Sequence, residues 1–141
     1  MASPTTSPVP KPRPVPTATS QPFWDALREE RIDLQRCGDC GTWVYYPRSR
    51  CPHCLSARLT WRTVDGEGTV FTFTVAPQPT APPFADDVPQ LLAMVELTEG
   101  VRVSTTLVDV DPEAITIGMR VQPVFDHGDD GITLLRFRPA D

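Results

Sequence analysis

The sequence contains no long apolar run and only two histidines among its 141 residues. A membrane-spanning helix needs roughly 18 or more consecutive apolar residues, and the chain offers none. Its first sixteen residues, MASPTTSPVPKPRPVP, also lack the apolar core of a signal peptide. The sequence therefore predicts a cytoplasmic protein that does not engage a membrane.

The two histidines give little support for independent catalysis. A Ser-His-Asp or Cys-His arrangement requires an available imidazole, and His53 lies between two cysteines while His127 lies in the turn sequence HGDD. We interpret His53 as an exposed bystander and His127 as a solvated hairpin tip, because turn residues cluster around it. No catalytic residue is predicted.

Basic residues are also scarce, with 13 Lys and Arg against 18 Asp and Glu, for a net charge of −5. Residues 1–62 carry nine basic and five acidic side chains, whereas residues 63–141 carry four and thirteen. Phosphate binding depends on Lys and Arg releasing counterions. The balance therefore argues against nucleic acid as the main partner, and most strongly for the acidic second half.

Proline, in contrast, is abundant, and seven of the 17 prolines fall within the first 22 residues. The pattern PVPKPRPVP favours an extended polyproline II conformation and contains almost no large apolar side chain. We expect residues 1–21 to form a disordered linker, the tether of a longer protein. A docking motif for a proline-reading domain is the alternative interpretation.

Four cysteines form two CxxC pairs, Cys37 with Cys40 and Cys51 with Cys54, separated by ten residues. Each pair presents two thiolates on one turn, and a hairpin between the turns brings all four around one tetrahedral ion. Four soft thiolates select zinc or iron. A thioredoxin-like redox pair and two disulfides are the alternatives, but a doubled CxxC in a reducing compartment favours a metal site.

The remaining pattern is mainly β. After a helix beginning near Ser20, with Ser20 as N-cap and Pro22 in its first turn, a lead-in strand completes residues 22–36, and the ribbon occupies 37–58. Phe23, Leu27 and Trp24 share a helix face that is expected to pack onto the next module. Short alternating strands follow over 59–64, 69–75, 91–97, 101–107, 119–125 and 132–137.

Two connections between these strands stand out. The proline-rich segment 76–90 is a long loop, interpreted as mobile or functional, and Asp111-Pro112 marks a single helical turn within 109–117. Five or six short strands in about 80 residues favour a five-stranded OB-fold barrel over residues 59–141. The predicted fold is thus mainly β, with an N-terminal helix, a four-cysteine zinc ribbon and then the barrel.

The order of these motifs resembles a known family. The run PFWDALREERIDLQRC leads into CGDCG and YYPRSRCPHC, followed by GEGTVFTFTV, LLAMVEL, VRVSTTL and ITIGMRVQPVF. Together they are similar to OB-fold proteins that carry a rubredoxin-like zinc ribbon and accompany acyl-CoA enzymes. The resemblance covers about residues 21–138, and it is closest to the C-terminal domain of MaoC-like enoyl-CoA hydratases.

The resemblance implies a partner and a role. Domains of this kind bind a thiolase-like retro-aldolase that cleaves a hydroxyacyl-CoA in steroid side-chain degradation, and they link it to the hydratase. It therefore implies an accessory domain without its own active site, with structural zinc on Cys37, Cys40, Cys51 and Cys54. The proline-rich start of the chain fits a hydratase linker.

The ribbon arm supplies candidate partner contacts, because aromatic residues beside arginines are typical of interface anchors. These candidates are Trp43, Tyr45, Tyr46, Arg48 and Arg50. The alternative is that the aromatics cover the barrel of the same chain. A second possibility gives the arginines a ligand, with the phosphates of an acyl-CoA bound by Arg36, Arg48, Arg50, Arg58 and Arg62.

Two other functions fit parts of the pattern. OB-folds and zinc ribbons both occur in single-stranded nucleic-acid binding, for which Phe71 and Phe73 are the candidate stacking residues. Iron-based electron transfer fits the first knuckle, CGDCG, but the second reads CPHCL, with Leu55 where a rubredoxin has glycine. The acidic barrel disfavours the first function and Leu55 disfavours the second.

Overall fold

The computed structural model describes residues 10–141. Within them one α-helix comes first along the chain, and the strands that follow it form a three-stranded and a five-stranded sheet. The elements are α1 (Gln21–Arg28), β1 (Ile32–Cys37), β2 (Trp43–Val44), β3 (Leu59–Val64), β4 (Gly68–Ala76), β5 (Gln90–Leu97), β6 (Arg102–Thr106), β7 (Arg120–His127) and β8 (Thr133–Pro139). Two short 3-10 helices cover Pro82–Asp87 and Pro112–Ala114. The predicted fold class is confirmed.

Helix α1 begins as expected after Ser20, with Pro22 in its first turn. Ser20 stands at the N-cap position, but its hydroxyl makes no capping bond and instead accepts a hydrogen bond from the Thr17 amide at 2.9 Å. The apolar face buries Phe23, Ala26 and Leu27. The predicted face and the predicted N-cap position of Ser20 are therefore both correct, although no side-chain hydrogen bond accompanies the cap.

The ribbon sheet has the order β2-β1-β3, and both pairings are antiparallel. Strand β1 pairs along its whole length with β3, from Ile32 opposite Val64 to Cys37 opposite Leu59. The alternating pattern of Leu59–Val64 predicts a barrel strand, whereas the structure places this segment in the ribbon sheet. Alternation predicts a strand but carries no information about which neighbour satisfies its backbone hydrogen bonds.

The second sheet has the order β6-β5-β4-β7-β8. It closes through a parallel bridge between Leu107 and Phe137, beside which the Val108 amide donates to the Phe137 carbonyl at 2.9 Å. This closure is the five-stranded Greek-key barrel of an OB-fold. A register shift between Val70 and Thr72 places Phe71 in a bulge of β4.

A single apolar core joins helix, ribbon and barrel. Phe23 and Leu27 of α1 and Ile32 and Leu34 of β1 belong to the same buried cluster as the barrel residues. The barrel contribution consists mainly of Val70, Val95, Val103, Val121 and Phe137. Burial of this apolar surface contributes about 25 cal/mol for each Å² removed from water. It therefore stabilises the shared core and holds the ribbon against the barrel.

The long connections are built from local turns. The loop 76–90 contains the 3-10 helix Pro82–Asp87, and the Gln90 side chain accepts a hydrogen bond from the Thr80 hydroxyl at 3.0 Å. The helical turn predicted near residues 111 and 112 is present, and the Asp111 carboxylate accepts a hydrogen bond from the Glu113 amide at 2.9 Å.

None of the helices among residues 10–141 has the length and apolar character to cross a membrane.

The proline-rich segment predicted to form a disordered linker makes contacts with the barrel. Residues 1–9 lie outside the described part of the chain, but residues 10–19 run across the barrel. There Lys11 pairs with Asp87, and Arg13 pairs with Asp130. Proline-rich composition argued against apolar burial, yet this segment is held by two ionic contacts that composition alone does not predict.

Candidate metal centre and interaction surface

The four cysteine sulfurs meet at one end of the ribbon, where β1 ends. All four Sγ atoms lie within 4.8 Å of one another, with 3.5 Å between Cys37 and Cys54 and 3.6 Å between Cys40 and Cys51. Four sulfurs at about 2.3 Å from zinc lie roughly 3.8 Å apart in a tetrahedron. The cysteines are therefore positioned to bind a metal ion.

The two knuckles have matching backbone geometry. The Gly41 amide donates to the Cys37 carbonyl at 3.0 Å, and the Leu55 amide donates to the Cys51 carbonyl at 2.9 Å. Both residues adopt the left-handed region, with φ of 77° at Gly41 and 65° at Leu55. The departure from the rubredoxin pattern at Leu55 therefore leaves the turn intact, and an exposed leucine occupies a conformation that favours glycine.

The electrostatics of the thiols fit a cation among them. The Thr42 hydroxyl and amide lower the pKa of Cys40 to about 6, and hydrogen bonding from the Cys40 backbone lowers that of Cys37. Although the Ser56 amide lowers the pKa of Cys54, desolvation and the three neighbouring cysteines raise it to about 12. Clustered thiols resist full deprotonation until a metal ion compensates the charge of the thiolates that form.

Asp39, within the first knuckle, connects the two CxxC turns. Its carboxylate accepts hydrogen bonds from the Ser56 hydroxyl and, at 3.0 Å, from the Arg58 guanidinium. The Gly38 amide donates to the Arg58 carbonyl at 2.7 Å. The knuckles are thus held in register by contacts other than the sulfurs themselves, while the exposed His53 only donates its backbone amide to Cys51 Sγ at 3.4 Å.

A cluster of four aromatic rings lies where α1 meets the ribbon arm. Phe23, Trp24, Tyr45 and Tyr46 pack edge-to-face, with ring centroids 5.2 to 6.5 Å apart. Burial raises the pKa of Tyr45 to about 12, whereas Tyr46 is 41% exposed and its hydroxyl accepts a hydrogen bond from the Trp24 indole at 2.8 Å. We call Trp24 and Tyr46, the solvent-reaching pair of this cluster, the aromatic patch.

The aromatic patch borders a groove of about 210 Å³ between α1 and the barrel. Phe23, Trp24, Leu27 and Tyr45 line one side, and residues 103–106 of β6 with residues 134–136 of β8 line the other. Solvent-accessible aromatic residues at the edge of a concave apolar surface are frequent anchors of protein interfaces. Trp24, expected to pack onto the next module, therefore joins the candidate interface residues, a role that helical spacing alone does not reveal.

The other predicted contact residues are separated from this patch. Trp43 packs under the Arg36 guanidinium at 5.2 Å from the ring centroid, and Arg50 donates to the Leu55 carbonyl at 3.2 Å. The backbone of Arg48 is bound by the Gln35 side chain, which accepts its amide at 2.8 Å and donates to its carbonyl at 2.9 Å. The structure thus brings Tyr45 and Tyr46 together and distributes the other three over the ribbon.

The arginines proposed as phosphate ligands are partly engaged within the ribbon. Arg36 stacks on Trp43 and donates to the Gly41 carbonyl at 3.2 Å, and Arg58 pairs with Asp39. Arg62 is exposed on β3, opposite Leu34. The described residues do not gather these side chains into one basic pocket.

The two barrel phenylalanines expected to stack nucleic-acid bases are partly engaged by the rest of the chain. The Arg102 guanidinium lies 3.7 Å from the centroid of the Phe71 ring and also pairs with Glu96 at 3.1 Å. Phe73 is partly buried against the core. Arg102 therefore occupies one face of the Phe71 ring, and Phe73 is only partly accessible for base stacking.

His127 ends β7 instead of occupying the tip of the hairpin. Its Nδ1 lies 2.8 Å from the Thr133 hydroxyl, and its Nε2 lies 3.3 Å from the Glu30 carboxylate. The side chain is exposed, as expected, but it connects the barrel hairpin to the loop that follows α1. The interpretation as a simple solvated tip is therefore corrected, and the described contacts give the imidazole a structural partner on each nitrogen.

Two protein-family models together match most of the chain. Residues 24–60 match the family described as "ChsH2, rubredoxin-like zinc ribbon domain", and residues 61–126 match "ChsH2, C-terminal OB-fold domain". The junction between the matches falls within β3.

Among similar proteins, the "Probable enoyl-CoA hydratase alpha subunit" of Thermomonospora curvata is 39% identical over 92% of this chain and 40% of its own length. The "3-oxo-4,17-pregnadiene-20-carboxyl-CoA hydratase alpha subunit" of Mycobacterium tuberculosis is 34% identical over 73% of this chain and 32% of its own length. A "DUF35 domain-containing scaffold protein" of Methanocaldococcus jannaschii is 37% identical over 75% and 79%. The chain thus spans less than half the length of the hydratase subunits.

A solved structure named "Ltp2-ChsH2(DUF35) aldolase" contains a chain that is 37% identical to this one, with a TM-score of 0.81. The match covers 92% of this chain and all of the other. The similarity therefore includes helix, ribbon and barrel together.

Proposed function

The chain belongs to the ChsH2 group of DUF35 proteins, in which a rubredoxin-like zinc ribbon precedes an OB-fold domain, and from this membership we propose that it is a scaffold domain that binds and stabilises a thiolase-fold acyl-CoA aldolase. The observation that carries the proposal is the similarity over 92% of the chain to a component of a structure named as a ChsH2(DUF35) aldolase. The partner catalyses retro-aldol cleavage of a hydroxyacyl-CoA.

The proposed substrate class and second partner follow from the relatives that are hydratase alpha subunits, one of them named for a pregnadiene-carboxyl-CoA. We infer that the domain links the aldolase to a MaoC-like enoyl-CoA hydratase in steroid side-chain degradation. Hydration of an enoyl-CoA supplies the β-hydroxyl group that retro-aldol cleavage requires. A link between the two enzymes keeps this intermediate close to the second active site.

Zinc on Cys37, Cys40, Cys51 and Cys54 has a structural role in this proposal. A site closed by four thiolates has no open position for a substrate, and the bound metal contributes to folding. The residues around the metal site hold the two CxxC turns in place. These turns in turn support the base of the ribbon arm, which carries Tyr45 and Tyr46. Metal analysis should find one zinc per chain without visible absorption, whereas coloured protein containing iron would indicate a redox site.

We place the aldolase contact at the aromatic patch of Trp24 and Tyr46, with Tyr45 beneath it. Trp43, Arg48 and Arg50 remain predicted contacts on the neighbouring ribbon surface. The Trp24 indole is already oriented by its hydrogen bond to Tyr46, so the patch can bury a large apolar area with little loss of side-chain freedom.

The test is co-expression with the thiolase-fold aldolase, followed by measurement of complex affinity and retro-aldol turnover. We expect the chain alone to show no lyase activity and to be required for a soluble, active partner. W24A should weaken the complex by about 30-fold or more, as truncation of an interface anchor does. F71A is the control, because Phe71 is also a solvent-accessible aromatic residue, 42% exposed, but lies outside the aromatic patch. A complex unaffected by W24A, or equally weakened by F71A, contradicts this placement.

The alternative function, binding of single-stranded nucleic acid, can be tested by measuring DNA binding by the same protein. We expect no salt-dependent binding of single-stranded DNA, because the barrel half is acidic and the ring of Phe71 lies under Arg102. Strong binding of DNA with a steep salt dependence, together with failure to bind an aldolase, would replace the scaffold proposal.

A further inference from the structure

Residues 10–19, which we call the strap, cross the barrel between its 3-10 helix Pro82–Asp87 and the β7–β8 hairpin. Lys11 and Arg13 are the only charged residues of the strap, and both are engaged. Lys11 Nζ lies 2.5 Å from the Asp87 carboxylate and 5.8 Å from the centroid of the Phe84 ring. One basic residue is thus held by an acidic and an aromatic side chain of the loop.

Arg13 is held more specifically. Its Nε donates to Asp130 at 2.9 Å, and its terminal nitrogen donates to the same carboxylate at 3.1 Å and to the Ile132 carbonyl at 3.2 Å. The guanidinium packs closely on Gly128, where a Cβ would overlap its terminal nitrogen, so a side chain at this position would displace the arginine from the place it occupies. A bidentate pair with an additional carbonyl fixes orientation as well as charge.

The strap is stiff between these contacts. Pro12, Pro14 and Pro16 alternate with other residues, which favours a polyproline II backbone with little conformational freedom to lose on docking. At its far end the Thr17 carbonyl accepts the Gln21 amide at 2.8 Å, so the strap continues directly into α1. Beneath it lies a cleft of about 490 Å³ lined by Leu91, Leu107 and Leu134.

We propose that this barrel surface is a receptor for basic proline-rich segments and that the chain fills it in cis with its own strap. We call the surface the strap groove and define it by Phe84, Asp87, Gly128, Asp130 and Ile132. Recognition uses one aromatic residue, two carboxylates spaced for a Lys-x-Arg sequence, and a pre-extended peptide. The occupant is seated in the structure, and its positive charge complements the acidic barrel half.

The first test measures whether the strap is docked in solution. In the full chain, ¹⁵N heteronuclear NOE values at Lys11, Arg13 and Val15 should resemble those of the barrel strands. They should fall in K11Q/R13Q and in the wild type at 0.5 M NaCl, because exposed ion pairs are screened. R28Q is the matched control, since Arg28 forms an exposed pair with Asp25 away from the strap. Low values in the wild type, or no change in K11Q/R13Q, overturn the proposal.

The second test measures the groove itself with a labelled peptide of the strap sequence, PKPRPVPTAT. Full-length K11Q/R13Q should bind it at least about fivefold more tightly than the wild type, whose own strap competes at an effective concentration on the order of millimolar. Adding either D87N or D130N to K11Q/R13Q should weaken binding. Absence of binding to K11Q/R13Q, or binding that is unchanged by both carboxylate substitutions, overturns the receptor function. Neither measurement involves the aldolase, so the outcome is independent of the scaffold proposal.

Discussion

Replacing Leu55 by glycine should leave the stability of the zinc-bound protein almost unchanged, although the substitution removes a leucine side chain. Leu55 has a φ of 65° and is 70% exposed. The left-handed conformation costs an L-residue about 1–2 kcal/mol, which glycine would recover. Against this gain, glycine has more conformational freedom in the unfolded chain, which lowers the stability by about 0.5–1 kcal/mol. Loss of the small buried part of the leucine side chain lowers it by roughly another 0.5 kcal/mol. These effects nearly cancel.

Ile117 provides the matched control, because it is also 70% exposed but lacks a positive φ. I117G has the same two costs, the greater freedom of glycine in the unfolded chain and the lost side-chain burial, but it relieves no left-handed backbone strain. It should therefore lower the free energy of unfolding by about 1–1.5 kcal/mol. The reverse substitution, G41A in the other knuckle, should cost about 0.5–1 kcal/mol, since a Cβ there meets only Arg36 at 4.0 Å.

Guanidinium unfolding of the zinc-loaded proteins, followed by tryptophan fluorescence, measures all three variants against the wild type. A single slope of free energy against denaturant is required for the comparison. Equal losses of stability in L55G and I117G would show that Leu55 is not strained in the zinc-bound protein. A neutral G41A would likewise show that the left-handed conformation carries no cost in the other knuckle.

Three further predictions concern packing, hydrogen bonding and charge. G68A should lower stability by about 2 kcal/mol or more, because the added Cβ would lie 2.6 Å from the Glu96 carbonyl; thermal unfolding checks this, and a neutral result would show that β4 and β5 can separate. Q35L should cost about 1–3 kcal/mol and increase amide exchange at Arg48, because it leaves the Arg48 amide and carbonyl without partners; unchanged exchange would contradict it. The carboxyl group of Asp130 should titrate near 2 in the wild type, because Arg13 lowers its pKa, and nearer its ordinary value in R13Q. Since the folded pKa is the lower one, the stabilisation is present above about pH 4 and disappears as the pH falls towards 2; carbon-detected NMR titration measures both forms, and equal pKa values would contradict the contact.

Local chemistry made most of the architecture predictable. The CxxC spacing predicted the clustered sulfurs, and alternation in segments such as Phe71 to Val75 predicted the barrel strands. Asp111-Pro112 predicted the short helical turn that is present. These features depend on residues close in sequence, for which backbone preferences are informative.

The features that were missed depend on distant partners. Arg13 and Asp130 are 117 residues apart, so composition alone classified the strap as a free linker. Likewise, β3 was placed in the barrel because nothing in its alternation specifies β1 as its neighbour. The role of Trp24 in the aromatic patch depends on Tyr46, which the folding of the ribbon arm brings to the helix.

The full pairing of β3 with β1 determines how this ribbon can be moved between proteins. A fragment ending at residue 60 would retain all four cysteines but would cut the third strand after its second residue, and would leave Ile32 and Leu34 without their partners Val64 and Arg62. The smallest portable unit therefore runs from Ser20 to Val64. Even this unit would need a new apolar surface for Phe23 and Leu27, because the barrel supplies theirs. Grafting only the metal-binding hairpin would transfer the zinc ligands but not the shape that the helix and barrel give to the ribbon arm.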